Sequence, residues 1–571
     1  MFHVDLLSRE KARNKRTFVA ASKIHKQVQL PRWLLVLILL LIPMAFLINL
    51  GLQPFIDDEG NRTTVALEML WSSNFITPTL HGEYYYNKPP LWNWILALSI
   101  WLHGSASEWA TRLPAVLALF GFSATVFHYC RKHLSQERAL LVAFMLLSCG
   151  RIIFWESLLG LIDLAFSWVI FTMIMVLYHE SKEERWGRMF LFSYLLMAIG
   201  FLFKGLPAIA FQGLSVLLIL YYRKAWKQLF SIAHIGSGLL AVAIIASYYV
   251  VYNKYHSLET VFQVLFVESG KRTAVAYGWW DTIKHALNFP LELSYHFLPW
   301  SALLLLLLRP SSRKRLHESD FVRFCRYAFF VNIIIYWLSP NFYPRYILML
   351  VPLGFIQLVS LIPEEAKPTK DWLYWTIRGI LGLFMFVLAA GALAPIFVED
   401  CQFIPGLLWK AGISFALLLS LFILYLKQPK WQYFLVVAGF ILFRVGFDLL
   451  AIPPRDHDSS AQRLRDSSIE FAKHWQDRDD LYVFYETHME PATSYYIQGT
   501  LDRPVQRKES AFTTTDYYIY NPKQYDWGLF EAPVDSFIVR HAGYPVYYVG
   551  KLKDTDIETI KEMTIGERPS F

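Results

Sequence analysis

The sequence predicts an all-α polytopic membrane protein of about 13 transmembrane helices with a small soluble α/β domain at its C-terminal end. Three observations lead there. First, 55% of the 571 residues are hydrophobic, 17% aromatic and only 18% charged, whereas a soluble chain carries roughly a quarter of its residues charged. Second, apolar runs such as Trp33 to Leu52 and Trp372 to Phe397 have about the 20 residues that cross a hydrocarbon core. Third, Lys and Arg fall in short clusters between those runs, the pattern that sets the orientation of helices in a membrane.

The apolar segments lie at 33–53, 113–130, 139–152, 157–178, 189–203, 206–222, 230–252, 292–308, 326–340, 345–362, 374–397, 406–425 and 431–452. The first is too long for a signal-peptide core and is followed by Gln53-Pro54-Phe55-Ile56-Asp57-Asp58-Glu59, with no small-residue cleavage pattern, so it reads as a retained helix. Eight basic residues between Arg9 and Arg32 precede it. With that end cytoplasmic, alternation also places Arg131/Lys132/Arg138, Lys182/Arg185/Arg188, Arg223/Lys224/Lys227, Arg313/Lys314/Arg315, Lys367/Lys370 and Lys427/Lys430 inside. The net charge of +8 is thereby topology, and nucleic acid is excluded as a partner. Membrane lipids are the constant partner.

This reading divides the chain into a cytoplasmic segment 1–32, a membrane domain 33–452 with outer loops 54–112 and 253–291, and an outer domain 453–571. In the first outer loop, Thr63 to Trp71 and Leu91 to Trp101 are apolar but too short to span, and are expected along the interface. The tail turns charged. An amphipathic helix at 459–475 is followed by strand-like runs beginning at Leu481, Tyr517, Ser536 and Val546, the pattern of a small α/β domain. Cys130, Cys149, Cys325 and Cys401 are isolated and form no CxxC, so they read as packing residues rather than a disulfide framework or metal site.

Several residues could carry chemistry. Asp57-Asp58-Glu59 are adjacent carboxylates just past the first span; they suit either a solvated helix start or a base or metal site at the membrane boundary. Tyr84-Tyr85-Tyr86-Asn87-Lys88-Pro89-Pro90 places a lysine before two prolines that hold the backbone extended. That lysine is either an interfacial anchor or a fixed cation for an anionic headgroup. Asp163 sits in an apolar helix near its outer end, where an ionisable residue is costly and defaults to function. Lys204-Gly205 falls between two apolar runs; Glu268-Ser269-Gly270-Lys271-Arg272 and Asn341-Phe342-Tyr343-Pro344-Arg345-Tyr346 lie in outer segments. Acids and cations thus gather on one face, within reach of a lipid phosphate.

In order along the chain, Asp58-Glu59, Lys88-Pro89-Pro90, Asp163, Lys204-Gly205, Leu298-Pro299-Trp300 and Tyr343-Pro344-Arg345-Tyr346-Ile347-Leu348 resemble the GT-C glycosyltransferases. Within that class they are most similar to the bacterial aminoarabinose transferase and protein O-mannosyltransferase-like enzymes. The resemblance covers residues 33–360. It implies inverting transfer of a sugar from a polyprenyl-phosphate-linked donor to a lipid, protein or glycan acceptor, on the outer face of the cytoplasmic membrane. By the same resemblance Asp58 and Asp163 are the catalytic acids, and Lys88, Arg272, Tyr346 and Lys204 hold the donor phosphate. Asp57, Glu59, Tyr86, Glu268 and Arg345 support them, and a divalent metal ion is the one cofactor left open. The sequence departs from the aminoarabinose transferase pattern at Asn87, where that family has Glu, at Asn61, where Arg is common, and at Asn341 and Phe342, where Lys is common. Two rivals remain. A lipid or polysaccharide transporter predicts ionisable residues deep in several spans, and an envelope scaffold predicts that the tail is the working part.

Overall fold

A computed structural model describes residues 30–56, 58–270, 278–340, 342–363, 371–457, 459–541, 544–553, 556–562 and 564. The basic cluster at Arg9–Lys26, together with Asp57, Lys271, Arg272, Asn341, Lys367 and Lys370, lies outside the described residues.

The chain opens with α1 (Arg32–Leu47), α2 (Glu59–Ser72), a short antiparallel pair of β1 (Thr79–Leu80) and β2 (Glu83–Tyr84), and α3 (Leu91–His103). A helical bundle follows: α4 (Glu108–Cys130), α5 (Gln136–Ser148), α6 (Gly150–Phe154), α7 (Asp163–Lys182), α8 (Trp186–Lys204), α9 (Leu206–Tyr222) and α10 (Ile232–Tyr252). After α11 (Glu259–Gly270) and α12 (Trp279–His296) come α13 (Pro310–Glu318), α14 (Asp320–Trp337), α15 (Val351–Leu361), α16 (Trp372–Gly391), α17 (Leu407–Lys427) and α18 (Gln432–Leu450).

Among the described residues, eight helices are long and apolar enough to cross a membrane, and a ninth span arises if α12 and the turns of Trp300–Leu308 are joined across their 120° bend. Three further helices, α1 with 16 residues, α3 with 13 and α9 with 17, are apolar but shorter. The outward faces of these helices are apolar too: Ile232 is 91% exposed, Leu239 65% and Val250 60%. Side chains of that kind are stable at a surface only when lipid covers it. The protein is a multi-pass membrane protein.

The described residues show fewer such helices than the 13 spans expected, and the structure differs from the sequence reading at two segments. The expected span at 292–308 is not one helix. Helix α12 starts at Trp279, within the stretch read as outer loop, and stops at His296; Pro299, which has no N–H to donate, stands at the break. Nor does α2 lie on the membrane interface, because ten of its residues from Glu59 to Met69 are buried. The C-terminal region covers it.

That region contains α19 (Pro453–Asp456), α20 (Ser460–His474), β3 (Leu481–Phe484), α21 (Pro491–Leu501), β4 (Arg507–Lys508), β5 (Tyr517–Tyr520), β6 (Asp535–His541), β7 (Tyr544–Gly550) and α22 (Ile557–Glu562). Its five strands form one sheet in the order β4-β3-β5-β7-β6; β3 is parallel to β4 and β5, while β7 is antiparallel to β5 and β6. Successive side chains on a strand alternate faces, which makes two aromatic-rich cores. Val483, Ile519 and Tyr547 pack with Phe471 on one side, and Phe484, Tyr518 and Tyr520 pack with Phe530 on the other.

Candidate active site

Two helix ends bring an acid and a base together. Asp163 is the first residue of α7 and Lys204 the last of α8. A helix favours an anion at its N-terminus and a cation at its C-terminus, so antiparallel neighbours create a place for this pair. Lys204 Nζ donates to Asp163 Oδ1, and both side chains are buried. Gly205 follows with φ +78°, a conformation that lets the chain turn immediately after the lysine. From a third element, the turn Pro344–Ile347, Arg345 Nε approaches Asp163 Oδ2 at 3.8 Å, and the Tyr346 ring lies 4.3 Å from Lys204 Nζ. One carboxylate therefore faces two cations, and an aromatic face covers one of them.

A second group lies at the start of α2. Asp58 is the residue before the helix, with its side chain 38% exposed. Its Oδ1 accepts from Asn61 Nδ2 at 3.3 Å and its Oδ2 from Arg62 Nε at 3.0 Å. Arg62 is buried; burial alone would weaken its charge, but Asp58 beside it holds its pKa above the ordinary value. The same guanidinium stands 5.3 Å from the centre of the Tyr85 ring, joining this group to the Tyr-Tyr-Tyr-Asn-Lys segment. Lys88 and Tyr86 line a shallow recess with Tyr85, Tyr248, Tyr249 and Tyr252. Tyr86 Oη meets His256 Nε2 at 2.6 Å, and the Tyr84 ring stacks on His256. Lys88 and Arg62 both act electrostatically on Asp163, so the two groups form one charged field.

The structure separates Glu59 from its neighbours. Instead of facing the recess it is fully buried, bidentate to Arg112 at 2.9 and 3.0 Å, and it accepts Gly160 N–H at 2.7 Å. Arg112 in turn donates to the carbonyls of Leu50, Gln53 and Pro54. Glu59 is thus a tie between α2, the end of α1 and the loop before α7. Glu268 lies in α11, and its side chain is outside the described residues, as is all of Arg272. Among the described residues no three His, Cys, Asp or Glu side chains converge as metal ligands.

Sequence reasoning passed over three groups. Arg62, four residues after Asp58, was legible as an i,i+4 partner on a helix. Glu156, buried beside Arg151 at 2.6 Å, carries no local signal that separates it from an ordinary loop acid. Arg444 and Asp448, paired at 2.7 Å within α18, are an i,i+4 pair inside an apolar run.

Residues 87–250 match the dolichyl-phosphate-mannose-protein mannosyltransferase family, a stretch that includes Lys88, Asp163 and Lys204. The undecaprenyl phosphate-alpha-4-amino-4-deoxy-L-arabinose arabinosyl transferase of Pectobacterium atrosepticum is 26% identical over 71% of this chain and 73% of its own length. The same enzyme of Edwardsiella ictaluri is 26% identical over 57% of this chain and 58% of its own length. The crystal structure of ArnT from Cupriavidus metallidurans bound to undecaprenyl phosphate superposes with a TM-score of 0.65 at 17% identity, covering 90% of this chain and 98% of that one. The chain has the GT-C glycosyltransferase fold, in its aminoarabinose-transferase-like form.

On a GT-C fold the position of the charged field matters more than any single residue. Asp58, Lys88, Asp163, Lys204 and Arg345 come from five separate segments, and the bundle gathers them at one end. The opposite end of α7 carries another network, in which Tyr178 donates to Asp320 at 3.0 Å and Arg223 stands 3.3 Å from the same carboxylate. That network belongs to the basic clusters, so the bundle keeps the acid–cation field and the orienting charges apart.

Proposed function

We propose that this chain is an integral membrane glycosyltransferase that moves a sugar, with inversion, from a polyprenyl-phosphate-linked donor to a lipid, protein or glycan acceptor. The observation that carries the reading is the convergence of Lys88, Arg62, Lys204 and Arg345 around Asp58 and Asp163 on this fold. In the reaction an acceptor oxygen attacks the anomeric carbon, the bond from that carbon to the phosphate oxygen breaks, and the polyprenyl phosphate leaves with the electron pair. Fixed cations stabilise the charge that develops on the leaving phosphate. Lys88 supplies one, and by the family resemblance Arg272 supplies another. Arg62 supplies a further donor: its Nη1 is buried and has no hydrogen-bond partner among the described residues. Asp58, whose side chain is 38% exposed, takes the acceptor's proton. Asp163 holds Lys204, Arg345 and Tyr346 in place beneath the sugar. Because the chain's own cations neutralise the phosphate, no step is assigned to a divalent metal.

The site is proposed to open on the outer face of the cytoplasmic membrane, with the N-terminus inside and the α/β domain outside. A reporter fused after Ile452 is then expected to be outside and one after Arg315 inside; a cytoplasmic tail overturns this orientation. The transporter reading would draw on Arg444 and Asp448, but Arg444 of that pair donates to the carbonyl of Ile153 and to Ser157 Oγ, which makes it a brace for the segment before α7. The names of the relatives specify the first donor to assay: undecaprenyl phosphate carrying 4-amino-4-deoxy-L-arabinose. Purified protein in lipid vesicles should release undecaprenyl phosphate from it, or from a hexose-bearing analogue, when membrane lipid extract supplies the acceptor. Absence of release from both donors refutes the transferase reading.

A further inference from the structure

The segment that presents Asp58 is held from both sides by the outer domain. On its N-terminal side, Phe55 N–H donates to Tyr496 Oη at 3.0 Å, and Tyr496 O–H donates to Glu108 Oε1 at 2.8 Å. The Phe55 ring meets Tyr495 edge-on at 4.5 Å. On its C-terminal side, Gly60 lies so close to α21 that a Cβ there would stand 2.3 Å from the Pro491 carbonyl oxygen. These contacts come from α21, more than 430 residues further along the chain in the case of Tyr496.

The Tyr496 hydroxyl is suited to this place. Burial, and then the Glu108 carboxylate, raise its pKa, so it stays protonated and its single proton goes to Glu108. Its oxygen lone pairs are left to accept the Phe55 amide, a buried group that must be paired. Elsewhere the interface is made of more distant ties. Trp71 donates to Asp502 at 2.9 Å, Arg507 pairs with Glu83 at 2.9 Å, and His81 bridges Val505 and Ser494.

We propose that Tyr496 of the outer domain is a positioning residue for Asp58: it fixes the Phe55 amide three residues ahead of it, so that the outer domain completes the active site without touching substrate. The claim rests on the role given to Asp58 above. Misplacing a reacting group by about 1 Å lowers a rate up to 10²-fold. Tyr496→Phe is therefore expected to lower kcat by about 10- to 100-fold with the donor KM unchanged. Gly60→Ala, which must push α21 away, should act in the same direction. Trp71→Phe removes a comparable interface bond farther along α2 and should leave both constants at the wild-type level.

Hydrogen exchange of the full-length protein separates the two claims. Peptides covering residues 54–62 should exchange faster in Tyr496→Phe but not in Trp71→Phe, whatever the substrate is. Unchanged exchange there, or equal loss of kcat in Tyr496→Phe and Trp71→Phe, overturns the positioning role. Faster exchange in a protein whose wild type transfers no sugar keeps Tyr496 as the brace of Asp58 and removes only the glycosyltransferase reading.

Discussion

Asp58 and Asp163 are both acids at the start of a helix, yet the chain treats them oppositely. Asp163 is buried, receives Lys204 directly and faces Arg345. Its charge is committed to two cations of the bundle. Asp58 keeps 38% of its side chain exposed, and Asn61 and Arg62 of the helix it precedes donate to it. Protonating a carboxylate buried between two cations would strand both, whereas Asp58 pairs with Arg62 and keeps a solvent-exposed edge that can receive a proton. The comparison therefore divides the labour that sequence resemblance had shared between them. In the proposed reaction Asp58 takes the proton, and Asp163 holds the platform.

The sharpest way to break this division is to remove Asp163. Asp163→Ala leaves Lys204 buried without its counter-charge, which typically costs about 3–5 kcal/mol of stability. We expect a large fall in Tm together with loss of transfer. A variant of normal Tm that has lost only transfer would make Asp163 a chemical rather than an architectural group. Asp58→Asn should behave in reverse. Asn keeps the shape and one acceptor oxygen but cannot take a proton, so turnover should fall about 10²- to 10⁴-fold while Tm moves little. Turnover near the wild-type value would remove Asp58 from the chemistry.

Lys88 sharpens the comparison from the donor side, since it reaches towards Asp163 electrostatically but lines the recess. Lys88→Ala should weaken donor use by about 1.5–3 kcal/mol, the range for a hydrogen bond to a charged group. Lys88→Arg should restore part of it, because the charge stays and the geometry changes. Equal donor affinity in the wild type and both variants would reduce Lys88 to a membrane anchor.

Much of this was legible in the sequence for a physical reason. Apolar runs, basic clusters and strand-like tyrosine runs are local patterns, and each of the four strand runs expected in the tail is found as a strand. Lys204-Gly205 and Tyr343-Pro344-Arg345-Tyr346 could be marked as chemically unusual, but their meeting around Asp163 depends on packing between helices. Glu59 shows the limit most clearly. Its neighbours in sequence suggested a shared acidic cluster, whereas the turn of α2 points it at Arg112, 53 residues away. Nor does any local pattern announce that α21 will cover α2, and so the burial of that helix was missed. It follows that deleting the tail would expose α2 and disturb Asp58 as well, so deletion does not distinguish an enzyme from a scaffold.

The smallest expected effect concerns Glu156, which stands between the two acids in character. It is buried like Asp163 yet has one close partner, Arg151 at 2.6 Å. Burial pushes its carboxyl up to about 7 from an ordinary 4.5, with Arg151 pulling the other way and Asp163 adding to the rise. A carboxyl raised on folding binds its proton more tightly in the native state. Its contribution to stability is therefore complete below pH 4.5 and is lost as the pH rises towards 7. Glu156→Gln keeps the neutral shape and removes the titration. Relative to wild type, it should gain about 1–3 kcal/mol in going from pH 5 to pH 8, seen as a Tm difference that opens with pH. If the ion pair with Arg151 outweighs burial, the variant instead loses stability as the pH rises. Glu156 would then be a charged brace of the same kind as Asp163, a second committed carboxylate on the platform side of the comparison.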